Sequence, residues 1–534
     1  MFVVLMFSLI DVAVAGYARG SLISLRMGRH EETSNAYSGP TQPMLDSTHT
    51  SRAKSRTVIN DLPPDVFLII FRMLSGRPPR STPIRWSDWI GWERMQPHTW
   101  PEYHLLNPEY PFPDYLASVC RLWRAVLSSV SKFWKRLIIW IGKDATSLSK
   151  IGDSLVWSQN RPIDIYIMRT FDPRVEDPTE RAQVMAVMEV LKPHMKRWRT
   201  LCIKVLCSSS LPLPRVDLIG QADVLRELTL DFVIDDSVAS DGAASPLVGA
   251  FHTPALDKLF MSGLHFRELF VKPFPQSPLP PALSELTVAE YDSTRHPPFS
   301  LFDLLSCLVT GHRRLGSMVL ANLDLDHSYS GPSILSSHVS WYADVGFFDM
   351  SGDVIAEYHR LLRSPWAESA YYVRCTMETP SILGSCYYLK IDGVADPLAL
   401  ARLLIGVHGR TSSRHACLRQ CDGLSPAVLL LLAVTILPGD NWILPDLRGL
   451  TIEGCTGFQS PDLRLFLEHR RRAHAVTGFA EDGDLEYVMS SVKYLHVQDC
   501  CELAPADKEW LDENLDEVHW DDWSGGTGAS VWIC

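Results

Sequence analysis

His415, Cys417 and Cys421 are the nearest approach in this sequence to a reactive constellation. Imidazole and thiolate are zinc ligands, but a tetrahedral site needs a fourth donor, ordinarily from a second Cys or His pair. None follows. The twelve cysteines are scattered, with only Cys500 and Cys501 otherwise adjacent, so they read as buried thiols and His415–Cys421 as a packed strand. Carboxylates crowd into "DKEWLDENLDEVHWDDW" near the end, where a polar cap on the last structural unit suits them better than a general acid and base. The glycines of "GGTGAS" follow no strand-to-helix pattern that could cradle a phosphate, and G-x-S-x-G, P-loop and H-E-x-x-H motifs are absent. The sequence therefore predicts no catalytic, cofactor-binding or metal-binding residue.

The chain has 534 residues, 46% hydrophobic and 21% charged, which suits a globular protein of two or more domains. A formal net charge of −12 argues against nucleic acid or an anionic membrane as partner. The opening "MFVVLMFSLIDVAVAG" holds an Ala13-Val14-Ala15 that could pass for a signal cleavage site, yet it lacks a basic n-region and Asp11 interrupts it. No Asn begins an N-x-Ser/Thr sequon, and no later segment offers about 18 uninterrupted apolar residues. A cytoplasmic or nuclear protein is expected, with residues 1–27 as an over-extended start; a secreted or membrane-associated repeat protein is the alternative.

Residues 1–58 read as a flexible tail, polar and without apolar period from 28 to 57. After it, Asp61 can cap a helix, Pro63 and Pro64 suit a first turn, and Val66 to Phe71 are six consecutive apolar residues. Leu116, Val119, Cys120, Trp123, Val126, Leu127 and Val130 recur at helical spacing, and Phe133, Trp134 and Leu137 continue into a third segment. These define a small helical module at 59–141, interrupted by a Pro- and Trp-rich inserted loop at 75–113. Three helices leave too little interior to cover the first one, whose stripe opposite Trp123 and Trp134 should meet another protein.

From about residue 160 the pattern becomes L-x-x-L-x-L. Nine segments start at Trp198, Leu225, Leu256, Leu283, Leu315, Cys386, Leu447, Val492 and Leu515. The first five lie 27, 31, 27 and 32 residues apart, close to one strand plus one helix per repeat. Such units cannot bury their apolar faces alone and must stack. The expected fold is α/β: a helical module, then an irregular solenoid over 142–523, then a tail at 524–534. Longer later gaps imply undetected units, one of them near 416–434, and 325–380 stays unphased.

"LPPDVFLIIFRML" followed by "LASVCRLWRAV" and "FWKRLIIW" resembles the F-box motif, and "SLVWSQNRPIDIYI" with "VLKPHMKRWRTLCI" looks like the junction into the leucine-rich array of fungal F-box proteins. The long insertion after Leu74 departs from the family. The resemblance implies the substrate-recognition subunit of an SCF-type ubiquitin ligase, a non-catalytic adaptor joining a Skp-type adaptor and cullin scaffold to an unidentified target. It implies adaptor-binding roles for Leu62, Pro63, Val66, Ile70, Phe71, Leu74, Val119, Cys120, Arg121 and Trp123. An F-box-like scaffold with no part in ubiquitin transfer is the first alternative.

Within each L-x-x-L-x-L, residues 1, 4 and 6 should point inward and 3, 5 and 7 outward. The outward set includes Asp231, Phe260, Tyr388, Asp392, Glu453, Tyr494 and His519, the expected target-binding face. Seven acids against two lysines over all such positions predict a preference for a basic or phosphate-free target segment.

Overall fold

Strands that alternate with helices pair in parallel, because a chain returning across one face adds each new strand alongside the last. The computed structural model describes residues 62–75, 106, 112–169, 177–237, 249–273, 279–311, 315–334, 342–363, 366–378, 383–407, 413–433, 442–477 and 489–528. The expected tail at 1–58, most of the insertion and residues 529–534 lie outside them. Fifteen strands form one sheet in strict chain order. They are Arg136–Ile141, Ile163–Arg169, Trp198–Cys207, Glu227–Ile234, Lys258–Ser262, Glu285–Tyr291, Ser317–Leu323, Tyr342–Phe348, Ala367–Val373, Cys386–Asp392, His415–Arg419, Gly449–Glu453, Tyr494–Gln498, Glu517–Trp520 and Trp523–Gly525. Every neighbouring pair is parallel except the last, a hairpin. The protein is thus mixed α/β with a large, mostly parallel sheet.

All nine expected strands are present, with six more. The gap between Leu315 and Cys386 holds Tyr342–Phe348, helix Gly352–Leu361 and Ala367–Val373, which phases the stretch 325–380. The unit near 416–434 is strand His415–Arg419 plus helix Pro426–Leu431. Two expectations need correcting. Ser131–Trp134 is only a 3-10 turn, and Leu137 lies in the first strand of the sheet, Arg136–Ile141, so the sheet begins inside the span assigned to the helical module. At the other end Ser524 and Gly525 pair with the preceding strand, within the span expected as a tail.

Alternation sets the core. Leu225, Leu228 and Leu230 are enclosed, as are their counterparts Leu286 with Val288, Leu389 with Ile391 and Leu495 with Val497. They join one continuous cluster with residues of helices Leu148–Trp157, Glu180–Leu191, Leu301–Gly311, Pro397–Gly406 and Ser460–Thr477. The opposite face carries the alternate residues. At its first strands Leu106, from the insertion, is buried against Met168 beside Ile138, Trp140 and Tyr166.

Two ladders run along the strand ends. Residues at matching positions, including Glu290, Asn322, Asp349, Arg374, Gly393, Gln420 and Gly454, all have positive φ, turning each strand out of the sheet at the same level. Behind them the thiols of Cys375, Cys421, Cys455 and Cys500 donate to carbonyls of their own and the preceding strand. The Cys455 and Cys500 sulfurs also accept the N–H of Cys421 and Cys455. The ladder thiols, buried at Cys375, Cys421 and Cys455 and half-buried at Cys500, are small groups that both donate and accept at these positions.

Two buried polar side chains fix the loops. Arg470, with no exposed surface, donates to the carbonyls of Leu432, Leu444 and Ser490, tying three chain segments with one guanidinium. His359 accepts the N–H of Gly384 at 2.9 Å through Nδ1, which puts the proton on Nε2, 3.3 Å from the Tyr372 hydroxyl. Burial pushes His359 down from 6.5 to about 3. Between those values the unfolded chain binds the proton and the folded one does not, so stability falls as pH drops below 6.5, by up to about 1.4 kcal/mol per unit. Replacing His359 with Leu should lower stability at neutral pH by about 1–3 kcal/mol, through the orphaned Gly384 N–H. It should also flatten the acid limb of denaturant midpoint against pH by about one proton; an unchanged slope would contradict this.

Candidate functional site

Among the described residues, two surfaces lack a covering layer: a stripe on the first helix and most of the open face of the sheet. The first helix, α1 (Pro64–Ser75), follows an exposed Pro63, and its missing donors at Pro63 and Pro64 fall where a helix start needs none. Phe67 and Phe71, one turn apart, are both 1% exposed and meet the indole of Trp123 at 5.6 and 5.5 Å. Trp123 belongs to α3 (Arg121–Ser128), separated from α2 (Asp114–Val119) by an extended Cys120 whose sulfur accepts the Trp123 N–H. The single helix expected through Leu116–Val130 is therefore broken at Cys120, which acts as a cap.

Beside the buried phenylalanines lies an apolar stripe at 3.6-residue spacing: Leu62, Val66, Ile69, Ile70 and Met73. Ile69 and Met73 are 56% and 59% exposed, and Leu62, Val66 and Ile70 half-buried. Of the residues expected to touch an adaptor, Phe71 and Trp123 instead hold the module together from inside. Leu74, Val119 and Cys120 are half-buried and Arg121 is exposed. Trp134, expected to face α1, packs on Trp157 at 4.4 Å and donates to the Leu127 carbonyl, joining the module to the first helix of the sheet domain.

On the open face, register groups residues that are far apart in sequence. Lys204 lies beside Asp231, 3.5 Å between charges, Lys258 meets Glu285 at 2.6 Å, and Arg374 holds Asp349 through two hydrogen bonds. Arg419 approaches Glu453 at 3.8 Å, while Asp392 is buried and pushed up by desolvation. The expected acidic face is thus largely cancelled by bases on neighbouring strands, most of which the nine motif segments do not contain. Phe260 packs on a small apolar cluster of Ala289, Val319, Ala321, Phe348 and Val373 at mid-sheet.

Three of the expected residues come together farther along. Tyr388, Tyr494 and His519 line a trough of about 930 Å³ with Lys390, His415 and His496. Tyr388 is 43% exposed and stacks on His415 at 5.1 Å, and His519 shares hydrogen bonds with Glu517 and Ser524. Gly449 stands opposite His415 on the next strand, where any Cβ would run into the imidazole. Its bareness is what lets the ring lie there. His415 and Cys417 lie on this face while Cys421 is enclosed behind the strand end, so the three do not converge; among the described residues no group of three His, Cys, Asp or Glu side chains could hold a metal ion.

Replacing Gly449 with Ala should expel the His415 ring from its stack. Its imidazole resonances should move toward unstacked positions while the thermal midpoint shifts by only a few degrees; unmoved resonances would contradict the geometry. No protein-family model matches this chain, and no curated protein matches it.

Proposed function

We propose that the protein is the substrate-recognition subunit of an SCF-type ubiquitin ligase, with residues 62–134 as an F-box docking to a Skp-type adaptor and the sheet domain as a leucine-rich-repeat-like solenoid that holds the target. The observation that carries this reading is the α1 stripe. Four apolar side chains, with Leu62 just before them, sit in a row on a helix whose other face is already satisfied by Trp123, and covering what remains exposed of Ile69 and Met73 alone is worth roughly 2–4 kcal/mol before the costs of association. An apolar row at i, i+3, i+4 and i+7 is the form in which a helix offers itself to a groove. Chain-ordered strands with the described helices of the sheet domain packed into one core support the second half of the reading, since that arrangement leaves the other face of the sheet for a protein ligand.

On this reading the chain does no bond-breaking chemistry and needs no cofactor: holding target and ubiquitin-charged enzyme in one assembly raises their effective concentration. Cullin is the expected scaffold, and the cytoplasm or nucleus the expected compartment. Among the described residues no helix is long and apolar enough to cross a membrane.

The exposure pattern gives a test that does not unfold the module. Ile69→Asp with Met73→Asp should abolish co-purification with a Skp-type adaptor while leaving the thermal midpoint nearly unchanged. Phe71→Ala should instead cost about 3–5 kcal/mol by opening the Phe67–Phe71–Trp123 cluster. Recovery of the adaptor with neither wild type nor variant would refute the reading; adaptor without cullin would leave a scaffold outside the ligase.

A further inference from the structure

The trough over the last strands has one lysine in its lining and two arginines flanking it, in a chain whose net charge is −12. Lys390 stands in its floor, half-buried, between Tyr371 and Cys417 of the adjoining strands. At the strand starts beside His415 two exposed guanidiniums follow one another, Arg414 and Arg448, linked by the hydrogen bond from the Arg448 N–H to the Arg414 carbonyl. Neither these two nor Lys390 has an ion-pair partner among the described residues. His415, His496 and His519 add ring nitrogens, and Tyr371, Tyr388 and Tyr494 add hydroxyls. The carboxylate in the lining, Glu517, is engaged by His519 at 2.8 Å. Toward the strand ends Glu453 faces Arg419, Asp344 is bonded to Ser369, and the buried Asp392 lies two residues from Lys390, whose charge it opposes in part, so the arginines at the strand starts carry most of the free positive charge.

We infer that this trough binds an extended peptide segment bearing anionic side chains, and that it is the point at which a target is recognised. The inference deepens the receptor role proposed above and rests on it, and it reverses the basic-target expectation. Six strands about 4.8 Å apart give the trough a length of roughly 24 Å, enough for about seven extended residues. Aromatic rings across the floor suit a peptide backbone lying over them, with Lys390, Arg414 and Arg448 meeting carboxylate or phosphate groups. Nucleic acid fits less well, because a net charge of −12 repels a continuous phosphate backbone while tolerating a short acidic segment.

Fluorescence anisotropy on the full chain tests this with four labelled probes: decaglutamate, the same peptide with alternate phosphoserines, decalysine and decathymidylate. The two acidic peptides should bind at low salt and weaken as salt rises, and their order tells carboxylate from phosphate recognition. Arg448→Glu, which is exposed and should leave folding intact, and Lys390→Glu with Arg448→Glu should each weaken them, the pair by about tenfold or more. Arg136→Glu, at the far end of the sheet, should not. Equal binding of decalysine, tighter binding of decathymidylate, or equal losses with Arg136→Glu would overturn the inference. Adaptor co-purification of the same variants keeps the two ideas apart: intact adaptor binding with no acidic-peptide binding sinks the trough alone, whereas acidic-peptide binding without adaptor sinks the receptor role alone.

Discussion

A parallel sheet whose crossovers all lie on one side can bury only that side. Everything else about this protein follows from the constraint. The helices and the inward leucines close one face into a continuous core, and beyond the first strands, where Leu106 lies, no described residue forms a layer over the alternate residues. Each strand also needs a partner at its edge. At one end the sheet finishes in the short hairpin of Trp523–Gly525, and at the other the helical module is attached through Trp134 and Trp157. The two uncovered surfaces, the open face and the α1 stripe, belong to different elements and differ in chemistry, which is what a bridge between two partners requires.

The open face meets its exposure in three ways along its length. The first strands take up Leu106 from the insertion, the middle strands carry an apolar cluster around Phe348, and the acids are matched by bases one strand away. Over the last strands aromatic rings, imidazoles and Lys390 line a cavity, with Arg414 and Arg448 at the neighbouring strand starts. A pair as exposed as Lys258 with Glu285 adds little stability, so its value lies in silencing charge along the face.

Much of the fold was legible because leucine at positions 1, 4 and 6 has a clear physical reason. Where the inward positions are filled otherwise, as by Val345 and Phe347, Ala370 and Tyr372, or Ala416 and Leu418, the same strand forms without the same letters, and the repeat vanished from sight. The break at Cys120 was hidden for a similar reason: the apolar spacing runs straight through a residue whose backbone is extended. Tyr388, Tyr494 and His519 could be placed on one face by alternation alone. Their basic neighbours Arg414 and Arg448 could not, since they stand one residue before the alternating set, and the pairing of Lys204 with Asp231 is fixed by register rather than by anything local. On α1 the greasy run was plain, but which of its side chains turn inward depended on where Trp123 comes to rest.

The most direct measurement is hydroxyl-radical footprinting of the full chain with and without a Skp-type adaptor, read at Ile69 and Met73. Both side chains should oxidise readily in the free protein, and the adaptor should protect both while leaving Leu398, exposed on the helical face of the sheet, unchanged. Adaptor that binds without shielding Ile69 and Met73, or a free protein in which neither residue reacts, would contradict the docking role of the α1 stripe.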